Sequence, residues 1–468
     1  MIVERRFGSF RDSSGFVYSR DGRILRQINE PFAADYEHLM RSGLYEDLVR
    51  DGLLIAHTEV SLALAATEAA YKVIEPEVVP FVSYPYEWCF GQLRDAAQAT
   101  CEIQRRTLGY GMSLKDASAY NIQFLDGRPV LIDTLSFERY REGCPWVAYR
   151  QFCQHFLAPL ALMRYTDVRL GQLLRVYVDG IPLDLTVKLL PRRSVLNPGL
   201  LLHLHLQAVT QRHPGSAVLD RQIARGRRLG REALRRLIES LASTVRRLDG
   251  LPRRSRWMEY TTTCPSYSEA ALARKREIIG KFIEEIAPTT VWDLGANTGE
   301  FSRVVRAHAP DALTVAWDGD PGCVEIAYRQ VVKDEDTRLL PLVLDLTNPS
   351  PGLGWAHSER MSLRDRGPVH AVLALALMHH LVIGNNVPLD RLAGFLSNMC
   401  RWLIIEFVPE SDSQVRHMLS LRDGSLSPYT RAEFEKEFSR FFTLRRTEPI
   451  ADSGRVLFLM ESKPECDS

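Results

Sequence analysis

The residues best suited to chemistry fall in three short stretches. In "VWDLGANTGEF", Asp293 closes an apolar run, and Gly295 and Gly299 flank a tight loop around Asn297. "VAWDGDP" carries Asp318 at the end of its apolar run, and "LPLVLDL" carries Asp345. Missing side chains let a backbone approach a ligand closely, and free N–H groups at a helix start favour a carboxylate. A dinucleotide-binding loop wants glycine where Asn297 stands, and the Gly-Lys-Ser/Thr of a phosphate-binding P-loop is missing too. Taken singly, each aspartate serves equally well as a helix cap. The ordered set of three, each at the end of a strand-like run, fits a ligand bound along the edge of a doubly wound sheet.

The D-x-G-x-x-x-G spacing resembles motif I of the class I S-adenosylmethionine-dependent methyltransferases. That resemblance implies S-adenosylmethionine as cofactor, with Gly295 and Gly299 against the methionine moiety and Asp293 and Asn297 completing the loop. It implies Asp318 for the two ribose hydroxyls, with Asp320 as the weaker alternative, and Asp345 for the exocyclic amine of adenine.

Candidate catalytic groups follow in "LALALMHHLVIGNN", where His379 and His380 end the fourth strand of the set. An unperturbed imidazole takes a proton near neutral pH, so one of the pair could relieve a hydroxyl or amine acceptor of its proton. Two adjacent residues rarely face one cavity, and His380 is the preferred one. Glu406, closing "WLIIEF", could orient an acceptor, while Glu410 and Asp412 suit a helix start. In-line methyl transfer needs mainly positioning, so no acid–base pair is obligatory.

A second constellation lies far upstream, in "LKDASAYNIQFLDGRPVLIDTLSFE". Asp116, Asn121 and Asp133 have the spacing of a phosphotransferase catalytic loop, in which the first would orient a hydroxyl and the others hold magnesium. Lys115 precedes the first aspartate, Thr134-Leu135 follows the last, and neither a glycine-rich loop nor a strand lysine stands out upstream. The plainer reading is a hairpin turning at Asp126-Gly127, with Asp116 and Ser118 capping local backbone.

The elements that must hold these residues differ along the chain. After 257, strand-like runs alternate with helix-like ones, implying an α/β fold: a Rossmann-like, mostly parallel seven-stranded sheet closed by an antiparallel pair, "FFTLRRTE" and "RVLFLME". Residues 1–215 read as an α+β domain, serving acceptor recognition or representing a degenerate kinase-like remnant. "SGFVYSRDGRILRQI" predicts a hairpin at Asp21-Gly22, whereas "EDLVRDGLLIAHTEV" and "LRDAAQATCEIQRRTLGYG" predict helices. Between them, 216–256 is expected as a linker. Its stretch 221–256 holds twelve arginines, with Leu234, Leu237, Ile238 and Leu241 at helical spacing. A solvated connecting helix is favoured there over a nucleic-acid or acidic-lipid patch.

Length and composition agree with a two-domain globular protein: 468 residues, 45% hydrophobic, 25% charged, formal net charge +1. So small a net charge gives no global pull toward nucleic acid or membrane. "MIVERRFGSF" lacks the apolar run of a signal peptide, and "HAVLALALMHHLVIG" is too short to span a bilayer. Eight cysteines form no CxxC pair, so free thiols in a cytoplasmic protein, and no metal site, are expected.

The chain as a whole also resembles a bacterial family, the NoeA-like methyltransferase-like proteins. "YPYEW", "KDASAYNIQF", "IDTLSF", "FLAPLAL", "DLGANTGEFS", "LALALMHHL" and "IIEFVPESDSQV" carry the likeness, from about residue 17 to 459. It implies a methyltransferase domain behind a dedicated N-terminal domain, but leaves the acceptor open among saccharides, small metabolites and proteins.

Overall fold

A computed structural model describes residues 3–5, 9, 11–212, 230–249, 267–421 and 429–464. The chain divides into two compact units, Met1–Leu251 with Gly352–Arg360, and Pro252–Pro351 with Met361–Ser468.

The C-terminal unit is built on a seven-stranded sheet. Its strands are β10 (Thr290–Leu294), β11 (Leu313–Asp318), β12 (Leu339–Val343), β13 (Val369–Ala374), β14 (Cys400–Phe407), β15 (Phe442–Pro449) and β16 (Val456–Ser462). The order is β12-β11-β10-β13-β14-β16-β15; the first five run parallel and β16 lies antiparallel between β14 and β15. The expected antiparallel closing pair is therefore present. Parallel strands covered by helices on both faces must be apolar throughout, and β12 is buried at every position. Val291, Leu373, Ile404, Leu457 and Leu459 form one core with Ile278, Ile279, Phe282 and Ile283 of the helix Glu269–Ile286. Elsewhere in the sheet, Trp292 and Trp317 meet edge to face, ring centroids 5.9 Å apart.

The N-terminal unit opens with an antiparallel sheet of five strands, ordered β1-β2-β3-β5-β4: Val3–Arg5, Gly15–Arg20, Arg23–Asn29, then Ala70–Pro76 (β5) before His57–Val60 (β4). The expected hairpin forms, with Asp21 and Gly22 both at positive φ, as a tight two-residue turn requires. The helix expected over "EDLVRDGLLIAHTEV" is corrected: helix Leu44–Arg50 stops at Gly52, whose φ is +67°, and His57–Val60 pairs instead with β5. The second expected helix is present as Phe90–Gly109, with Gly111 at φ +73° just beyond it. Short strands β6 (Met112–Leu114), β7 (Ile122–Leu125), β8 (Arg128–Leu131) and β9 (Phe137–Arg139) follow, β6 pairing β9 and β7 pairing β8.

The arginine-rich stretch splits. Residues 213–229 and 250–266, which hold both expected domain boundaries, lie outside the described residues. Between them, helix Arg231–Arg247 buries Leu234, Ile238, Leu241 and Val245 within the N-terminal unit, so it is part of that unit's core rather than a solvated connector. Its arginines stay on the outer face, as amphipathic spacing dictates.

Candidate functional site

The glycine loop after β10 is clamped across the sheet. Gly295 and Ala296 N–H groups donate to the Trp317 carbonyl at 2.8 and 2.9 Å, and Asn297 N–H donates to Asp318 Oδ2 at 2.8 Å. Gly295, Asn297 and Gly299 have φ of 76°, 51° and 79°. Positive φ is what calls for glycine at Gly295, where a Cβ would in addition crowd the Leu377 side chain at 3.2 Å. Gly299 starts the helix Glu300–His308 and has no side chain to cap it; of the first-turn amides, Ser302 N–H is taken by the Asp293 carboxylate.

Asp318, at the end of β11, receives one backbone donor on each oxygen, from Asn297 and from Asp320 at 2.8 Å. Burial outweighs those bonds and pushes its carboxyl up to about 6. A carboxylate so short of donors, with a spare lone pair on each oxygen, is what two ribose hydroxyls would satisfy. Asp320, the weaker alternative, caps the helix Pro321–Asp334 by accepting from Gly322 N–H. Asp345 lies two residues beyond β12, exposed, accepting from Thr347 N–H and hydroxyl at 2.9 and 2.6 Å. Asp293 is buried beneath the loop, where Ser302 Oγ donates to it at 2.6 Å and burial raises it to about 6. Its bond ties strand to helix.

The expected catalytic residues separate. His379 and His380 follow β13 by several residues, at the start of the helical turn His380–Gly384, with ring centroids 4.2 Å apart. His379 is fully buried, and neither ring nitrogen has a hydrogen-bond partner among the described residues. Burial, and then the neighbouring His380, lowers it to about 3, so it is neutral at physiological pH. His380 is half-buried and also shifted down by burial.

Glu406 is held on every side. Lys275 Nζ reaches its Oε2 at 2.7 Å, Arg455 Nη1 reaches Oε1 at 3.3 Å, and the Tyr267 hydroxyl donates to Oε1. Arg455 binds Asp412 through Nε and Nη2 at 3.0 and 2.8 Å. Burial alone would raise Glu406, but the Lys275 ammonium and Arg455 guanidinium hold it near 2. Asp412 caps the helix Ser413–Ser420, as expected. The sequence reading missed Lys275 and Arg455, because a lysine in an amphipathic helix and an arginine opening a strand both look like surface residues. Beside these strand ends Leu294, Ala374 and Ile405 help line an apolar cavity of about 270 Å³, with Arg391 its one charged lining residue.

A seven-stranded sheet of this order, with a glycine loop after its first strand and an acid ending its second, defines the class I methyltransferase fold. Over 97% of its length the chain is 34% identical to nodulation protein NoeA of Rhizobium meliloti (strain 1021), covering 95% of that protein. It belongs to the NoeA family. No protein-family model matches. Among solved structures, it is similar to a putative O-methyltransferase from Nostoc punctiforme (17% identity, 44% of this chain and 60% of that one, TM-score 0.32). It is also similar to magnesium protoporphyrin IX methyltransferase from Synechocystis with bound SAH (18% identity, 41% and 84%, TM-score 0.29).

Proposed function

We propose that this protein transfers a methyl group from S-adenosylmethionine to an acceptor nucleophile. The observation that carries this reading is Asp318, a half-buried carboxylate bonded only to backbone amides at the second strand end, one of them in the glycine loop. S-adenosylmethionine supplies an electrophilic methyl group on a sulfonium. Gly295, Asn297 and Gly299 let the backbone close on the methionine part, Asp318 takes the ribose hydroxyls, and Asp345 meets the adenine. Asp293 acts one layer below, fixing the loop through Ser302. His380, less buried than its neighbour, meets the acceptor and can accept its proton, and neutral His379 backs it. Glu406, with both oxygens taken, positions rather than reacts. Free thiols at Cys89, Cys101 and Cys153 suit a reducing cytoplasm; among the described residues no helix is long and apolar enough to cross a membrane.

The test is transfer of labelled methyl from S-adenosylmethionine into fractionated host extract, comparing wild type with Asp318→Ala. Label in one fraction, lost with the variant, identifies the acceptor as saccharide, metabolite or protein. Equal labelling by the variant would sink the assignment of the site.

A further inference from the structure

We propose that the N-terminal unit carries a second ligand site, one for a nucleoside triphosphate held through magnesium. It goes beyond the methyl-transfer reading and does not depend on it. A succession of elements brings the site's side chains together. After the β1–β2 connection come a cation on β3 (Arg26), the helices Ala33–Arg41 and Leu44–Arg50, and strands β4 and β5. The helix Phe90–Gly109, β6, a loop bearing Asp116 and Asn121, the hairpin β7–β8, and Asp133 complete the series. Protein kinases place their phosphate-covering loop, β3 cation, catalytic aspartate, asparagine and metal-binding aspartate in that order. Gly15-Phe16-Val17 supplies the last glycine and valine of such a loop. Gly15 is needed because a Cβ there would lie 2.1 Å from the Gln27 carbonyl.

The side chains converge. Ser136 Oγ donates to Asp133 Oδ2 at 2.7 Å and receives Asn121 Nδ2 at 3.3 Å, so one hydroxyl joins the amide to the carboxylate. Asp133 Oδ1 meets the Arg26 guanidinium. Lys115, next to the catalytic-loop aspartate, reaches Asp12 at 3.1 Å and Ser14 Oγ at 2.8 Å in the β1–β2 connection. Asp116 accepts Ser118 N–H and Gln151 Nε2 on Oδ1, at 2.9 and 2.8 Å. His155, 2% exposed and with Nδ1 unbonded among the described residues, lies close enough to feel the charge of Asp116.

The charges set the order of events. Asp12, Asp116 and Asp133 outnumber Arg26 and Lys115 by one, so a bare phosphate meets carboxylates, whereas a divalent cation is attracted. One carboxylate with an amide is a common protein share of a magnesium site, the remaining positions going to phosphate oxygens and water. Magnesium on Asp133 competes with Arg26 for that carboxylate and frees the guanidinium for phosphate oxygens, which it can grip in bidentate fashion. Binding is therefore strictly magnesium-dependent.

The experiment is equilibrium dialysis of labelled ATP against the full chain, with and without magnesium chloride. Wild type, Asn121→Ala, Asp133→Asn and Asp318→Asn are compared. We expect saturable binding only with magnesium, weaker by roughly tenfold or more in Asn121→Ala and Asp133→Asn, and unchanged in Asp318→Asn. Asn121→Ala leaves the Arg26–Asp133 pair intact, so it keeps the test open should Asp133→Asn unfold. Failure of wild type to bind at millimolar ATP and magnesium would overturn the proposal. So would binding without magnesium, binding indifferent to Asn121→Ala, or binding lost only in Asp318→Asn, which would place ATP at the C-terminal strand ends.

Discussion

Two carboxylates near strand ends of one sheet, separated by β10 and β13, behave in opposite ways. Asp318, after β11, is bonded only to backbone amides and is pushed up to about 6 by burial. Glu406, in β14, is enclosed by Lys275, Arg455 and Tyr267 and is held near 2. Glu406 is fully buried and Asp318 half-buried, and the supply of donors differs as well. A partly buried acid left short of donors marks a place where a ligand completes the structure, whereas a saturated one marks a place where the protein has completed it already.

The sharpest way to break this contrast is Glu406→Gln. Removing one partner of a buried network leaves Lys275 and Arg455 uncompensated, so a stability loss of about 3–5 kcal/mol is expected in denaturant unfolding. A loss within a few tenths would mean the cluster is wet and Glu406 is available for chemistry. Asp318→Asn should do the reverse, leaving stability nearly intact while weakening S-adenosylmethionine binding by about 1.5–3 kcal/mol, roughly ten- to hundredfold, in calorimetric titration.

pH separates the two acids further. Glu406 has a folded value near 2 against an ordinary 4.5. Its contribution to stability is thus fully present above the ordinary value and is lost as pH falls toward 2. Asp318 has a folded value near 6 against 3.8, so ionising it opposes folding as pH rises through that window. Hydroxyl donors favour the ionised form, so S-adenosylmethionine affinity should fall by up to about tenfold per pH unit below about 6. An affinity flat from about pH 5 to about pH 8 would remove Asp318 from the ribose. The smallest effect belongs to exposed Asp345: Asp345→Ala should weaken cofactor binding only about two- to fivefold, as expected for a solvated hydrogen bond.

Much of the cofactor edge was legible because it rests on local rules. Gly295 and Gly299 stand where the chain must adopt positive φ, and each acid follows an apolar run that could only be a buried strand. The helix–strand alternation after 257 fixed the doubly wound class for the same reason. Less was legible where long-range pairing decides. "EDLVRDGLLIAHTEV" has enough helical periodicity to mislead, and only β5, arriving later in the chain, turns His57–Val60 into a strand. Helix Arg231–Arg247 shows its apolar stripe in sequence, yet nothing local says that the stripe is covered.

By itself, then, the sequence determined the two alternating periodicities, the glycine loop, and the order of acids at the strand ends, all of which depend on residues close in the chain. The tertiary structure alone decided what each acid faces. Glu406 meets Lys275 and Arg455 from 131 and 49 residues away, and Arg26 meets Asp133 across 107. Whether a carboxylate is saturated depends on partners from elsewhere in the chain, and it is three-dimensional packing that selects them.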